Sequence, residues 1–124
     1  MSGMGLMKAI DKKLSELELE LDVMRNTDGI KAVLAHSQAH IDAGTTGPDP
    51  ANPNTFLGRV VNVKEINEGR ATIIPSFWDG KRVDDRESER RAIESGIKWP
   101  SSDTVHGALR LESFIHDMMQ KQSR

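Results

Sequence analysis

The stretch ATIIPSFWDGKRVDDRESERRAIESG, residues 71–96, reads as a strand, a tight turn, a short return strand and a capped helix, and that order decides the fold class. Residues 71–78 alternate loosely. Ile73, Pro75 and Phe77 fall on one side and Thr72, Ile74 and Trp78 on the other, because side chains two apart share a face of a strand. Pro75 has no amide hydrogen to give to a ladder, so the strand is expected either at a sheet edge or with its Pro75 amide side unpaired. Asp79-Gly80 is a hairpin-turn signal, since glycine takes positive φ without steric cost. Residues 81–83 return briefly as strand. Asp84 is the expected N-cap of the next helix, with Glu87 three residues on in the spacing of a capping box. Gly96 fits the left-handed position just past the helix end, with Ile97 folding back on the last turn.

On that helix Arg86 and Arg90 lie four apart, as do Glu87 and Arg91. Arginines so spaced could serve a phosphate. Glu87, Glu89 and Glu94 interleave with them, so a solvated face with weak ion pairs is the simpler expectation.

Working outward, LGRVVNVKEI (57–66) is rich in β-formers, with Val61 and Val63 on one face. Asn67-Glu68-Gly69-Arg70 then reads as the turn of a hairpin with the strand that follows. On the other side, Trp99 precedes Pro100 and is biased away from helix, so 97–101 is extended. Asp103 or Ser102 is placed to cap a last helix that runs to residue 121. Ala108, Leu111, Ile115 and Met118 are spaced to face the hairpin, and Val105, Leu109 and Phe114 broaden that face. Trp78 and Trp99 are the large apolar bodies available as core fillers or interface anchors, at least one of them in the core.

Upstream, GTTGPDPANPNT (44–55) carries three prolines and two glycines among polar neighbours, which forbids regular structure. A semi-stiff linker over 44–56 therefore divides a helical arm, 1–43, from a small α+β domain, 57–121. In the arm, Leu6, Ile10, Leu14, Leu17, Leu21 and Met24 form a stripe close to a heptad seam, widened by Leu19 and Val23. Lysines precede acids along this helix, an order that opposes the helix dipole, so packing must contribute to its stability. The stripe suits either a helix lying on its own domain or a coiled coil with copies of itself or a partner. NTDG (26–29) interrupts the pattern, either as a kink or as the start of a second helix capped by Thr27 or Asp28. Ile30, Val33, Leu34 and Ile41 give that segment a weaker apolar face.

His36 and His40 stand four apart, a spacing that zinc sites use on helices. The zinc-protease pattern needs a glutamate directly after the first histidine, and Ser37 stands there. An exposed polar face without metal is expected, and His106 and His116 are expected at the surface. The 124-residue chain has a formal net charge of −2 and no cysteine. Near-neutral charge argues against a dedicated nucleic-acid binder, and the missing thiols exclude a disulfide framework or a thiolate metal site. No apolar run is long enough to cross a bilayer, no signal-like apolar core opens the sequence, and no internal repeat is evident.

The segment from Arg70 to Met119 resembles a module found in tailed-phage and prophage proteins, many of them virion-associated. The resemblance rests on Ile74-Pro75-Ser76, Asp79-Gly80-Lys81, Asp84-Asp85, Ala92-Ile93, Ser95-Gly96 and Asp103-Thr104 in that order. Ser102 stands where many relatives carry phenylalanine, and His106 where many carry an acid. The resemblance implies an α+β fold and a phage-particle context, and it supplies no catalytic residues.

The expected fold is thus α+β: an N-terminal helical arm, then a small β-hairpin unit with two C-terminal helices. Its structural signature is Pro75, Trp78, Asp79, Gly80, Asp84, Gly96, Trp99 and Asp103. A unit as small as 57–121 is marginal alone, so partner contacts are an economical remedy. The expected role is a non-enzymatic structural component of a bacteriophage particle, docking to other virion proteins or to copies of itself. It would reside in the virion, and in the host cytoplasm before assembly. The alternative is a small dimeric regulatory or adaptor protein of phage or bacterial origin. No cofactor, metal, membrane or principal nucleic-acid contact is expected. Turn and capping roles explain Asp79, Asp84, Asp85 and Glu87 more simply than an acid cluster for catalysis.

Overall fold

Two helices, α1 (Gly3–Arg25) and α2 (Thr27–Asp42), open the computed structural model, which describes residues 3–42 and 58–122 and the side chains of 5–39 and 58–119. There follow β1 (Gly58–Val61), β2 (Ala71–Pro75), β3 (Phe77–Trp78), β4 (Lys81–Arg82), α3 (Asp85–Glu94), β5 (Ser101–Ser102) and α4 (Val105–Gln122). The class is α+β, with helices first, a small antiparallel sheet, and two C-terminal helices. The 44–56 linker lies outside the described residues.

β2 occupies the centre of a three-stranded sheet in the order β1-β2-β5. Gly58 of β1 faces Pro75 and Val61 faces Thr72, while Ser102 and Ser101 of β5 face Ala71 and Thr72. The strand is therefore not at an edge. Pro75 is tolerated for the other anticipated reason. β5 reaches only the first half of β2, and the last bond on that side runs from the Ile73 amide to the Pro100 carbonyl at 2.8 Å. All five residues of β2 are buried, so both its faces are covered and strict alternation is not required.

The β1–β2 connection is longer than a four-residue turn. The strand ends at Val61, before Val63, and a single 3-10 turn at Asn67–Gly69 completes the link. Asn67, Glu68 and Gly69 all take positive φ, at 50°, 57° and 84°. Asn67 anchors this bend by donating from Nδ2 to the Trp99 carbonyl at 2.9 Å. A second hairpin sets Phe77 opposite Arg82 and Trp78 opposite Lys81. Its two turn residues, Asp79 and Gly80, have φ of 52° and 81°, the pair of left-handed values that a type I′ turn requires. The run 71–78 breaks at Ser76, whose carbonyl accepts the Val83 amide at 2.9 Å.

Asp84 caps α3 by accepting the Glu87 amide at 2.8 Å. The Glu87 carboxylate is held by Arg90 and Arg91 rather than closing the box. Arg90 also bonds Glu94, and Arg91 reaches Asp79 at 2.7 Å. The arginines therefore belong to an ion-paired helix face. Hydrogen bonds from Arg90, then from Arg91, draw the Glu87 pKa down to about 2. The contribution of this exposed network is present above the ordinary carboxylate range and is lost as the pH falls toward about 2.

Gly96 ends the helix with φ 69°, its amide on the Ile93 carbonyl at 3.2 Å, while Ile97 stays 41% exposed instead of folding back. No atom lies within 4 Å of a Cβ placed at Gly96, so a substitution there meets only backbone strain. Gly96→Val is expected to cost about 1 kcal/mol or more and to lower the melting temperature. An unchanged melting temperature would contradict the role of this cap.

α4 is capped by Thr104, not by Asp103 or Ser102. The Thr104 hydroxyl accepts the Gly107 amide at 3.0 Å, whereas Ser102 donates to Asp22 and Asp103 pairs with Arg70. The inward stripe of α4 is Ala108, Leu111, Ile115 and Met119, a 3-4-4 spacing that stays in phase with 3.6 residues per turn. Met118, Val105 and Leu109 are exposed, and Phe114 is half-buried against the core.

The core is continuous across the expected boundary between arm and domain. Ile30 and Val33 of α2 join Ile66, Ile73, Ile74, Trp99 and the α4 stripe in one cluster, with Leu19 and Val23 of α1 packed against it. α1 and α2 thus share one core with the sheet and α4, and α2 supplies core side chains that the small sheet lacks. Its entry is tight. A Cβ at Gly29 would stand 2.8 Å from the Lys98 carbonyl oxygen and 2.9 Å from the Pro100 nitrogen. The NTDG interruption is where the helix turns to meet that backbone, with α2 beginning at Thr27.

Candidate functional site

Two faces of α1 have opposite fates. The inward face carries Leu19 and Val23 together with Asp22, which is only 8% exposed. The Asp22 carboxylate accepts the Ser102 hydroxyl at 2.9 Å. Arg110 of α4 closes the same side, donating to the Ser15 carbonyl at 3.4 Å and to Glu18 at 3.0 Å. The outward face carries the expected stripe. Leu6, Ile10, Leu14, Leu17, Leu21 and Met24 are each between 42% and 72% exposed. None belongs to the core cluster, and Leu21 borders a small cleft that Ser102 and Arg110 also line. Met7, 62% exposed, belongs to the same surface. With Met7 in place of Leu6, the seam runs 7, 10, 14, 17, 21, 24 in strict 3-4 alternation. That regular spacing was readable in the sequence and would have found Met7.

Polar groups on the inward side fix how α1 is mounted. Asn26, at the joint between α1 and α2, donates from Nδ2 to the Ser101 carbonyl at 2.8 Å and accepts the Ser101 amide on Oδ1 at 2.9 Å. Its amide thereby completes the free edge of β5 as a further strand would. Asn26→Ala is expected to leave both Ser101 groups unpaired in a buried site, at a cost of about 1–3 kcal/mol. Denaturant titration would read this as a lower midpoint, and a midpoint within error of wild type would contradict it.

The tryptophans and His36 meet on the other side of the core. Trp99 is 1% exposed and donates to the Ala92 carbonyl at 3.3 Å. Trp78 is half-buried, donates to the Pro75 carbonyl at 2.9 Å, and lies edge-on to Trp99 with centroids 6.1 Å apart. His36 is not on an exposed polar face. Its ring packs edge-on against Trp78 at 4.6 Å, and Nε2 lies 2.7 Å from the Phe77 carbonyl oxygen. The His40 side chain lies outside the described residues. Among the described residues no group of three or more His, Cys, Asp or Glu is placed to hold a metal ion. No described helix is long and apolar enough to cross a membrane.

Asp79, Asp84, Asp85 and Glu87 each have a structural partner. Asp79 pairs with Arg91, Asp85 with Arg59, and Asp84 caps α3. A cleft of about 660 Å³ lies between the α1–α2 joint and the 67–70 turn, with Arg25, Arg70 and Lys98 at its sides. Three of the side chains that line it already serve the fold. Asn26 and Asn67 hold backbone, and Arg70 bonds Ser101 and pairs with Asp103. Among the described residues, the outer face of α1 carries the longest run of exposed large apolar side chains.

Compared with known proteins, the chain matches no family model, no curated protein and no solved structure.

Proposed function

We propose that this chain is a non-enzymatic assembly protein whose outer α1 face docks onto another polypeptide, and that its setting is a bacteriophage particle. The observation that carries the reading is the apolar stripe from Leu6 to Met24, exposed along a helix whose opposite side is firmly mounted on the core. Exposed apolar surface of this extent on a small protein marks an interaction site or an aggregation liability. Burying the exposed half of each stripe side chain contributes about 1 kcal/mol per residue, enough in sum to offset much of the cost of association. The phage setting is supported by the resemblance carried by residues 70–119. The sheet and α4 act as the rigid mount that presents α1.

The test is mass spectrometry of purified particles from the source, comparing wild type with Leu14→Asp/Leu21→Asp. Wild-type chain should be present in fixed stoichiometry and the variant excluded. Particles lacking the wild-type chain would overturn the particle setting. Undiminished entry of the variant would overturn the role of α1.

A further inference from the structure

We infer that the outer face of α1 pairs with the same face of a second copy of this chain, as a parallel, in-register two-stranded coiled coil. This rests on the reading of that face as an assembly surface and names its occupant. The apolar seam alone does not choose an orientation. Met7, Leu14 and Leu21 take one heptad position and Ile10, Leu17 and Met24 the other, and both orientations stack these side chains into apolar layers.

Charges flanking the seam do choose. One flank carries Lys13 and Glu20, the other Asp11, Glu18 and Arg25. In a parallel pair, each residue on the first flank meets the residue five positions later on the second chain. Lys13 then meets Glu18 and Glu20 meets Arg25, and two-fold symmetry repeats both attractive pairs. In an antiparallel pair, like flanks meet. Lys13 still finds Glu20, but Asp11 is set against Glu18, and this repulsion also occurs twice.

The mounting of α1 leaves room for the parallel arrangement. At about 100° per residue, the seam lies roughly 150° around the helix from the Leu19–Asp22 side that packs on the core. Two copies would thus carry their sheets on outer sides, away from the shared axis. Arg110 holds Glu18 at 3.0 Å from its own chain, placing that carboxylate at the seam edge. A carboxylate has lone pairs for a second cation, so Lys13 of the other copy can share it. Charged residues close on both flanks keep the seam narrow, which suits two strands.

The native chain has no cysteine, so a single introduced thiol reports the register. In the parallel pair Ile10 faces Ile10, and in the antiparallel pair it faces Leu21. Full-length Ile10→Cys is expected to form a disulfide dimer on mild oxidation. Dimerisation of a mixture of Ile10→Cys and Leu21→Cys chains, without dimerisation of Ile10→Cys alone, would overturn the parallel register while leaving α1 an assembly surface. A monomeric mass for the wild-type chain would overturn self-pairing, and a higher-order mass would overturn the two-stranded arrangement. Entry into particles through α1 would then still uphold the broader reading.

An independent arm uses the swap Lys13→Glu/Glu20→Lys. It keeps the net charge and the antiparallel Lys–Glu contact, but it turns every parallel flanking pair repulsive. The dimer dissociation constant is expected to rise at least about tenfold, less so at high salt. An unchanged dissociation constant overturns the proposal.

Discussion

Trp99→Ala should destabilise the whole fold by about 3–5 kcal/mol, the range for removing a large aromatic from a packed core. Trp99 is 1% exposed and stands where α2, the sheet and α3 converge. Its ring meets Trp78, its indole NH bonds the Ala92 carbonyl, and its own carbonyl takes the Asn67 amide. The substitution leaves the backbone bond to Asn67 possible but removes the largest fully buried side chain of the cluster that Ile30 and Val33 share. For a small domain such a loss is a large share of total stability. Urea titration followed by far-UV circular dichroism should show the midpoint collapse, with Trp99→Phe between the two. A loss below about 1 kcal/mol would mean that α2 and the sheet do not share this core.

The second large effect concerns association. Leu14→Asp with Leu21→Asp puts two carboxylates in the middle of the outer stripe, at positions 51% and 47% exposed in the single chain. Burying unpaired carboxylates in an interface costs several kcal/mol, so the contact should be lost entirely. The fold should not suffer, because neither side chain belongs to the core, which Leu19 and Val23 join from the other side of the helix. The variant should therefore melt as an independent folded chain, and it should be more soluble than wild type if the two are compared below the association threshold. Loss of helical signal would instead mean that the outer leucines support the monomer.

Which features were legible in the sequence follows from how local their causes are. The Asp79-Gly80 turn, the Asp84 cap and the Gly96 terminus depend on neighbours a few residues away, and each forms as the sequence implies. The central position of β2 does not. It depends on residues 101–102 returning beside Ala71 and Thr72, a pairing that nothing near Pro75 encodes. The cap of α4 was ambiguous for the same reason. Ser102, Asp103 and Thr104 are all capping residues, and distant Asp22 and Arg70 engage the first two.

The α1 stripe was legible as a stripe, but its direction was not. An apolar periodicity ordinarily faces its own core, and here Asp22 and Asn26 face inward beside Leu19 and Val23, while Leu6, Leu14, Leu17 and Leu21 face out. The polar bonds made to Ser101 and Ser102, which fix that inversion, join residues far apart in the sequence. A proline-rich sequence such as 44–56 signals a break in regular structure, which is not by itself a break in the core, and α2 shares one core with the sheet and α4.

The most direct test is the solution mass of the intact chain, by light scattering or sedimentation over a range of concentrations, beside Leu14→Asp/Leu21→Asp. The chain alone is 13.8 kDa. A concentration-dependent dimer for wild type and a folded monomer for the variant are expected. A wild-type chain that stays monomeric at every concentration, with its α1 leucines slow to label or exchange because they are covered by its own residues, would contradict an intermolecular role for this face.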